Sequence, residues 1–354
     1  MIEPRSVVVI QTAFPGDVVL TLPLLQALRS RYPEAHLAFI AIPSAAGVLQ
    51  NHPAVDEIVP YDKRGEEKGL RGLLALSRRL RASRFDLAIV PHRSMRSALL
   101  PWLARIPARI AFDSSSGRIL FTKTVHYRSD QHEIDRNLSL LGPLAGGTPK
   151  RELPMLFPSE GDRDCVDKLL RERKGELSRF STGRMVALAP GSVWRTKRWP
   201  EERYGELCAI LAERGHGIVL VGGVDDRALC AAIERSSGID QVMNAAGSFT
   251  LLQSAELLRR CRALVCNDSA PMHLAVAMGT PVVAIFGATV PEFGFAHLGE
   301  QDRVVQTAGL NCRPCSIHGG HSCPIKTFEC MLRITPAQVS ETLREILTQG
   351  HVNA

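Results

Sequence analysis

Residues 267–289 read NDSAPMHLAVAMGTPVVAIFGAT. A polar cluster, Asn267-Asp268-Ser269, stands directly before an apolar run of helical character. A Gly-Thr-Pro break follows, then the strand-like run VVAIF and another glycine. Upstream, ALVC is itself a strand pattern, so the stretch reads strand, helix, strand. Continuous apolar strands separated by helices are the mark of a parallel sheet covered on both faces, because only a strand buried on both sides loses its polar alternation.

The same alternation extends in both directions. SVVVIQ, HLAFIAI, EIVP, LAIV and RIAF read as strands in the N-terminal half, with helices expected over residues 18–31, 69–82 and 95–105. Residues 144–162, LAGGTPKRELPMLFPSEGD, are rich in Gly and Pro and hold no period, which marks a linker. Beyond it the alternation restarts with the strand MVALAP, the helix EERYGELCAILAERG closed by Gly215, the strand IVLVGG, the helices DRALCAAIER and SAELLRRC, and the strands ALVCND and PVVAIFG. Two α/β domains are expected, with a ligand in the cleft faced by the carboxyl ends of both sheets. No sequence repeat or low-complexity tract interrupts them.

Composition narrows the function classes. The chain has 354 residues, of which 45% are hydrophobic, enough for two cored domains. Aromatics are only 5%, which argues against a base-stacking platform for nucleic acid. A net charge of +7 points to an acidic partner or simply to solubility. The first residues run through a strand into a turn without a signal-peptide pattern, and no apolar run reaches the ~18 residues of a membrane span. The expectation is a cytoplasmic protein, at most peripheral on a membrane, with its nine cysteines reduced.

Four stretches carry candidate chemistry. Asp268 and Ser269 sit at a helix start, with Pro271 in its first turn, where free N–H groups and the helix dipole favour a phosphate; His273 lies one turn further in. A plain N-cap is the structural alternative. PGSVWRTKRWP follows the strand MVALAP and places Ser192 and Lys197 in a basic loop suited to a diphosphate. The first turn, TAFPGD, lacks the G-x-G-x-x-G fingerprint and leaves Asp17 as a helix cap, a carboxylate aimed at the cleft, or both. Finally, Cys312, Cys315, Cys323 and Cys330 are spaced C-x2-C-x7-C-x6-C. That spacing allows a structural zinc, but its second pair is too widely separated for a ribbon, which favours reduced, partly buried thiols.

Together GDVVLTLPLLQALRSRYP, PHRSMRSALLPWLARIPARIAF, PGSVWRTKRWP, NDSAPMHLAVAMGTPVVAIFGAT and the Cys-rich tail ending ITPAQV resemble the lipopolysaccharide heptosyltransferases of glycosyltransferase family 9, closest to the heptosyltransferase II group. The resemblance covers nearly the whole chain. It implies a GT-B fold, two Rossmann-like domains with parallel sheets facing a central cleft. Residues 1–158 would bind the acceptor, residues 159–335 the ADP-sugar donor, and a C-terminal helix over 336–354 would return toward the first domain. The reaction implied is inverting, metal-independent transfer of L-glycero-D-manno-heptose from ADP-heptose to the inner core of lipopolysaccharide, without a cofactor and at the inner face of the cytoplasmic membrane, whose anionic surface would be a partner.

By motif, Asp17 would be the general base. Lys197, assisted by Ser192, would hold the diphosphate; Asp268, Ser269, Ala270 and His273 would form the donor loop; Asp225 would meet the ribose. Lys63, Arg64, Arg93, Arg96, Arg118 and Lys123, with Lys68 and Arg128, would meet acidic groups of the acceptor. No metal ligand is implied, and no D-x-D occurs in a plausible donor loop. Ala270 stands where the family usually has Gly, and Asp225 where it often has Glu. Competing classes are a relative moving another sugar or using another glycan, an NAD-dependent oxidoreductase, disfavoured by the missing glycine fingerprint, and a zinc-stabilised nucleic-acid-binding protein, disfavoured by the few aromatics.

Overall fold

The computed structural model describes residues 3–172, 184–296 and 299–349. The chain divides into two compact units, Met1–Phe157 and Pro158–Ala354. In the first, six strands form one sheet: β1 (Ser6–Ile10), β2 (His36–Ala41), β3 (Glu57–Pro60), β4 (Leu87–Val90), β5 (Ala108–Phe112) and β6 (Lys123–Val125), in the order β3-β2-β1-β4-β5-β6. Every neighbouring pair is parallel. Val8 and Ile10 of β1 join Leu73, Leu76 and Leu80 of the helix Gly69–Ala82 in one core, the leucine spacing keeping a single helix face inward.

The second unit repeats the plan with β7 (Met185–Ala189), β8 (Gly217–Leu220), β9 (Val242–Asn244), β10 (Ala263–Asn267), β11 (Val282–Phe286) and β12 (Arg303–Gln306), ordered β12-β11-β10-β7-β8-β9 and again parallel throughout. Both are doubly wound sheets. The winding reverses between β1 and β4 in the first and between β7 and β10 in the second, and ligands bind such sheets outside the carboxyl ends at the reversal.

Two expectations shift on inspection. The helix expected over residues 18–31 is two helices, Pro15–Val19 and Leu22–Arg31. Pro23 has no N–H for the α-helical ladder, so the run breaks before it, and the Thr21 hydroxyl bonds the Asp17 carbonyl at 2.7 Å. The helix Glu160–Glu172 begins inside the expected linker. At the other end, the helix Pro336–Gln349 buries Val339, Leu343 and Ile346 against the helix Glu201–Glu213 and beneath β10 to β12, and so counts with the second unit. No helix among the described residues is long and apolar enough to cross a membrane.

At the second reversal one side chain ties the two central strands together. Asn267, fully buried at the end of β10, donates from Nδ2 to the Pro190 carbonyl after β7 at 2.8 Å and accepts the Trp199 N–H at Oδ1 at 3.0 Å. Asn267→Leu would leave both backbone groups buried and unpaired, at about 1–3 kcal/mol each. The expected outcome is a folded but weakened second unit, its urea midpoint lowered with an unchanged slope; a midpoint equal to wild type would show that the amide is dispensable.

Candidate active site

In the second unit the loop leaving β7 passes Gly191 and Ser192 and forms a short 3-10 turn, Arg195–Lys197, before the helix Glu201–Glu213. Trp199 fixes its far end. It is 2% exposed, its indole N–H bonds the Ile334 carbonyl at 3.1 Å, and its ring packs edge-on against Tyr204. This tryptophan is therefore a core anchor for the loop. The turn is pinned from outside by the Cys-rich segment: Thr196 donates its N–H to Gly320 at 3.0 Å and accepts the Gly320 N–H at Oγ1 at 2.8 Å. Gly319 makes this approach with φ +83; a Cβ there would meet Thr196, Lys197 and Trp194 at 3.1 to 3.2 Å.

So held, Lys197 reaches the aspartate at the end of β10, with Nζ 2.6 Å from Asp268 Oδ2, the two side chains 13% and 9% exposed. Thr289, buried at the end of the β11 loop, donates its hydroxyl to the same oxygen at 2.8 Å. Arg313 in turn bonds the Thr289 carbonyl at 2.8 Å and the Thr307 carbonyl at 2.6 Å. Asp268 is thus a partner of Lys197. The N-cap of the helix Ala270–Ala277 is Ser269, whose side chain makes no capping bond to the first turn and contacts the Asn267 carbonyl at 3.3 Å. Ala270 opens that helix and is not among the residues with positive φ, so the backbone there does not require the glycine usual in the family. His273 is buried one turn further on. Ser192 is half-buried in the β7 loop.

Asp225 lies exposed in the short turn after β8. Its neighbour Asp226 has a structural task. It accepts the Gly223 N–H at 3.0 Å and lies so close to Gly191 that a Cβ at that position would fall 2.1 Å from its Oδ1. Gly191 is therefore needed to bring the turn after β8 against the β7 loop.

The four cysteines at 312, 315, 323 and 330 are free thiols. Among the described residues no three His, Cys, Asp or Glu side chains group so as to hold a metal ion, and the zinc alternative therefore lacks a ligand set. Their segment instead braces the loops on either side: Cys315 donates its N–H to the Ala288 carbonyl at 2.9 Å, beside Thr289. Burial pushes the Cys330 thiol up to about 11, while backbone N–H groups of Phe328 and its preceding residues pull Cys323 down.

The first unit gathers its polar groups at the carboxyl ends of β1, β3 and β4. Lys63 donates to the Thr12 carbonyl at 2.6 Å and hydroxyl at 3.2 Å. His92 Nδ1 lies 3.0 Å from the Thr12 hydroxyl and 2.8 Å from that of Ser97. Arg96 reaches the Lys63 carbonyl and the Tyr61 hydroxyl, and the Arg93 guanidinium stacks 4.1 Å over the Tyr127 ring. Burial, then the charges of Lys63 and Arg93, push His92 down to about 4. The imidazole is thereby neutral at pH 7, and the positive charge rests on the lysine and arginines. Lys63 is itself lowered by burial and by Arg64 and Arg96.

Asp17 occupies the third position of the helix Pro15–Val19, where its carboxylate accepts the Phe14 N–H at 3.1 Å. Sequence reasoning missed the groups nearby. Glu133 is buried and paired with buried Arg136 at 2.9 Å; Tyr127 joins both through its hydroxyl. Burial raises the Glu133 carboxyl, Arg136 opposes this, and the charge of Asp17 raises it further. The only signal was a Glu and an Arg three apart in a short helix, indistinguishable from an exposed pair.

Of the remaining basic candidates, Arg64 and Arg118 are exposed, Lys68 precedes a helix, and Arg128 pairs with Asp130. Lys123 is set apart. It starts β6, at the amino edge of the sheet, and lines a cavity of about 720 Å³ with Arg5, Asp86 and Pro107. Its place in the acceptor set is corrected on that ground: a parallel strand carries its first residue to the edge opposite Lys63 and Arg93.

The chain is 27% identical to lipopolysaccharide heptosyltransferase 2 of Escherichia coli K12, over 97% of this chain and 99% of that one. The solved structure of E. coli ADP-heptose lps heptosyltransferase II superposes with a TM-score of 0.78 at 27% identity, covering 98% of this chain and 99% of that one. A glycosyl transferase family 9 structure from Veillonella parvula gives 0.86 at 23% identity, covering 98% of each. Two parallel doubly wound units are the GT-B class of fold. Residues 73–321, which hold the basic loop, the Asp268 loop and the first half of the Cys-rich segment, match glycosyltransferase family 9 (heptosyltransferase), and the chain is a member of that family and a glycosyltransferase.

Proposed function

We propose that this protein transfers L-glycero-D-manno-heptose from ADP-heptose to the inner core of lipopolysaccharide, with inversion and without a metal ion. One observation carries the reading: Lys197 meets Asp268 at the reversal of the second sheet, beside a helix start that no side chain caps. Such a place offers an ammonium and the positive end of a helix dipole to one ligand. A departing ADP needs both, because its β-phosphate gains charge as the glycosidic bond breaks. Lys197 and the helix start would supply what a divalent cation supplies elsewhere. The relatives named for lipopolysaccharide heptose transfer support the sugar and the acceptor class.

In this reading Asp268 holds the lysine extended until the diphosphate arrives, then shares it. Ser192 assists at the phosphates, Asp225 is left exposed for the ribose, and Ser269, Ala270 and His273 line the donor loop. Asp17 takes the proton of the acceptor hydroxyl. A carboxylate is a weak base in water, so transfer occurs late, as the new glycosidic bond makes that proton acidic. Lys63, Arg93 and Arg96 hold phosphates or carboxylates of the inner core, while Arg64 and Arg118 lie at the exposed margin. Work on such an acceptor places the protein at the cytoplasmic face of the inner membrane, peripheral to its anionic surface.

Lys197→Ala is expected to lower kcat/KM for ADP-heptose about 10- to 150-fold, the loss of a charge-assisted bond of ~1.5–3 kcal/mol. Because that change strands Asp268 without its cation, it should also cost stability. The double variant Lys197→Ala/Asp268→Asn should recover the melting temperature but not the rate. Unchanged kcat/KM in the folded double variant would refute the assignment.

Asp17→Asn separates base from cap. The amide oxygen still accepts the Phe14 N–H, so melting temperature and ADP binding should stay near wild type, while kcat falls about 10²- to 10⁴-fold. A kcat within a few-fold of wild type would make Asp17 a cap only and pass the proton to another group.

A further inference from the structure

The second sheet has a polar constellation at its other edge that the transfer reaction does not use. Arg184, His216 and Arg262 directly precede β7, β8 and β10, so all three stand at the amino ends of the strands, opposite Ser192 and Asp268. The strands between the two edges are four or five residues long, a separation of roughly 13–17 Å. With Arg214 from the end of the helix Glu201–Glu213 and Arg344 from the C-terminal helix, they surround a cavity of about 310 Å³.

Its lining holds four arginines and one histidine and no carboxylate. Two of the arginines fasten the helices that form the wall: Arg214 donates to the Ser340 carbonyl at 3.4 Å and Arg262 to the Leu347 carbonyl at 2.8 Å. Glu341, which does not line the cavity, pairs with Arg344 at 2.5 Å and also feels the charge of Arg214. Leu211, Leu343 and Leu347 supply an apolar floor. A second, independent feature lies in the same wall. Ser340 is fully buried and its Oγ has no hydrogen-bond partner, although a helical serine ordinarily returns its hydroxyl to the carbonyl one turn back. The charges of Arg262, Arg184 and Arg214 all bear on His216, adding to burial in disfavouring its proton.

Four arginines with a single carboxylate beside them leave a net positive charge around the cavity, and a planar fork of N–H donors matches phosphoryl oxygens well. We propose that this cavity binds a phosphoryl group, with the short apolar part of the molecule that carries it resting on the leucine floor. An anionic lipid headgroup and a soluble phosphorylated compound both offer that chemistry. The site is separate from the donor loop, and its test reads binding without turnover.

Two arms distinguish the sources. Inorganic phosphate and glycerol 3-phosphate are titrated calorimetrically into the full chain carrying Lys197→Ala, which weakens anion binding beside Asp268. In parallel, wild type is sedimented with vesicles of phosphatidylcholine alone or mixed with phosphatidylglycerol. Each is repeated with Arg214→Gln/Arg344→Gln and, should that pair fold poorly, with Arg184→Gln and Ser340→Ala singly; melting temperature verifies integrity throughout, and ADP binding does so in the variants that keep Lys197. Saturable binding of a soluble phosphate, or retention by the phosphatidylglycerol vesicles only, reduced about tenfold by the arginine changes, is the expected result. Absence of both kinds of binding in wild type, or binding that the variants leave unchanged, overturns the proposal.

Discussion

The second unit depends on one buried amide. Asn267 joins the ends of β7 and β10 where the winding reverses, and it does so through backbone groups, so its geometry is insensitive to the side chains around it. Everything chemical nearby inherits that position. Asp268 is the next residue, Ser269 opens the following helix, and Trp199, whose N–H the amide accepts, ends the loop that carries Lys197. A doubly wound sheet leaves a crevice at this point in any case. What Asn267 adds is a fixed distance between the basic loop and the helix start.

The Lys197–Asp268 pair also has a cost that clarifies its purpose. Two charges taken largely out of water gain little net stability from each other. In the proposed reading a pair retained at a crevice, braced by Thr289, Arg313 and the glycines of the Cys-rich segment, is a preorganised one: the ammonium would already be in place for an anion, with little side-chain ordering left to oppose binding. The first unit uses a different device. There Lys63 is directed by neutral partners, the Thr12 hydroxyl and carbonyl, and burial keeps His92 uncharged.

How much of this was legible in the sequence follows from physical range. Strands in the middle of each sheet are apolar on both faces and could be read directly. The edge strands β6, β9 and β12 are three or four residues long with polar positions, and nothing local distinguishes KTV, VMN or RVVQ from loop. The break before Pro23 was legible in principle, since the missing N–H is a property of one residue. Asp17, Lys197, Asp268 and Ser269 could be singled out because each lies within a few residues of a strand end. Thr289, Gly319 and Glu133 could not, since their roles come from contacts tens to more than a hundred residues away. The spacing of the cysteines left a structural zinc open while favouring reduced thiols, and only the folded chain shows that the loop carrying them acts as a brace. For Lys123, composition records its charge but not the edge of the sheet on which it lies.

Donor recognition by a lysine and a helix start, in place of a metal ion, is the central claim. Mass spectrometry of a defined lipid A–inner core acceptor, incubated with this protein and ADP-heptose in excess EDTA, tests it most directly. The expected product is the acceptor heavier by one heptose, formed at the same rate with and without chelator. No mass gain under any condition would contradict the proposed transfer, and a gain that appears only when Mg²⁺ or Mn²⁺ is restored would contradict the role given to Lys197.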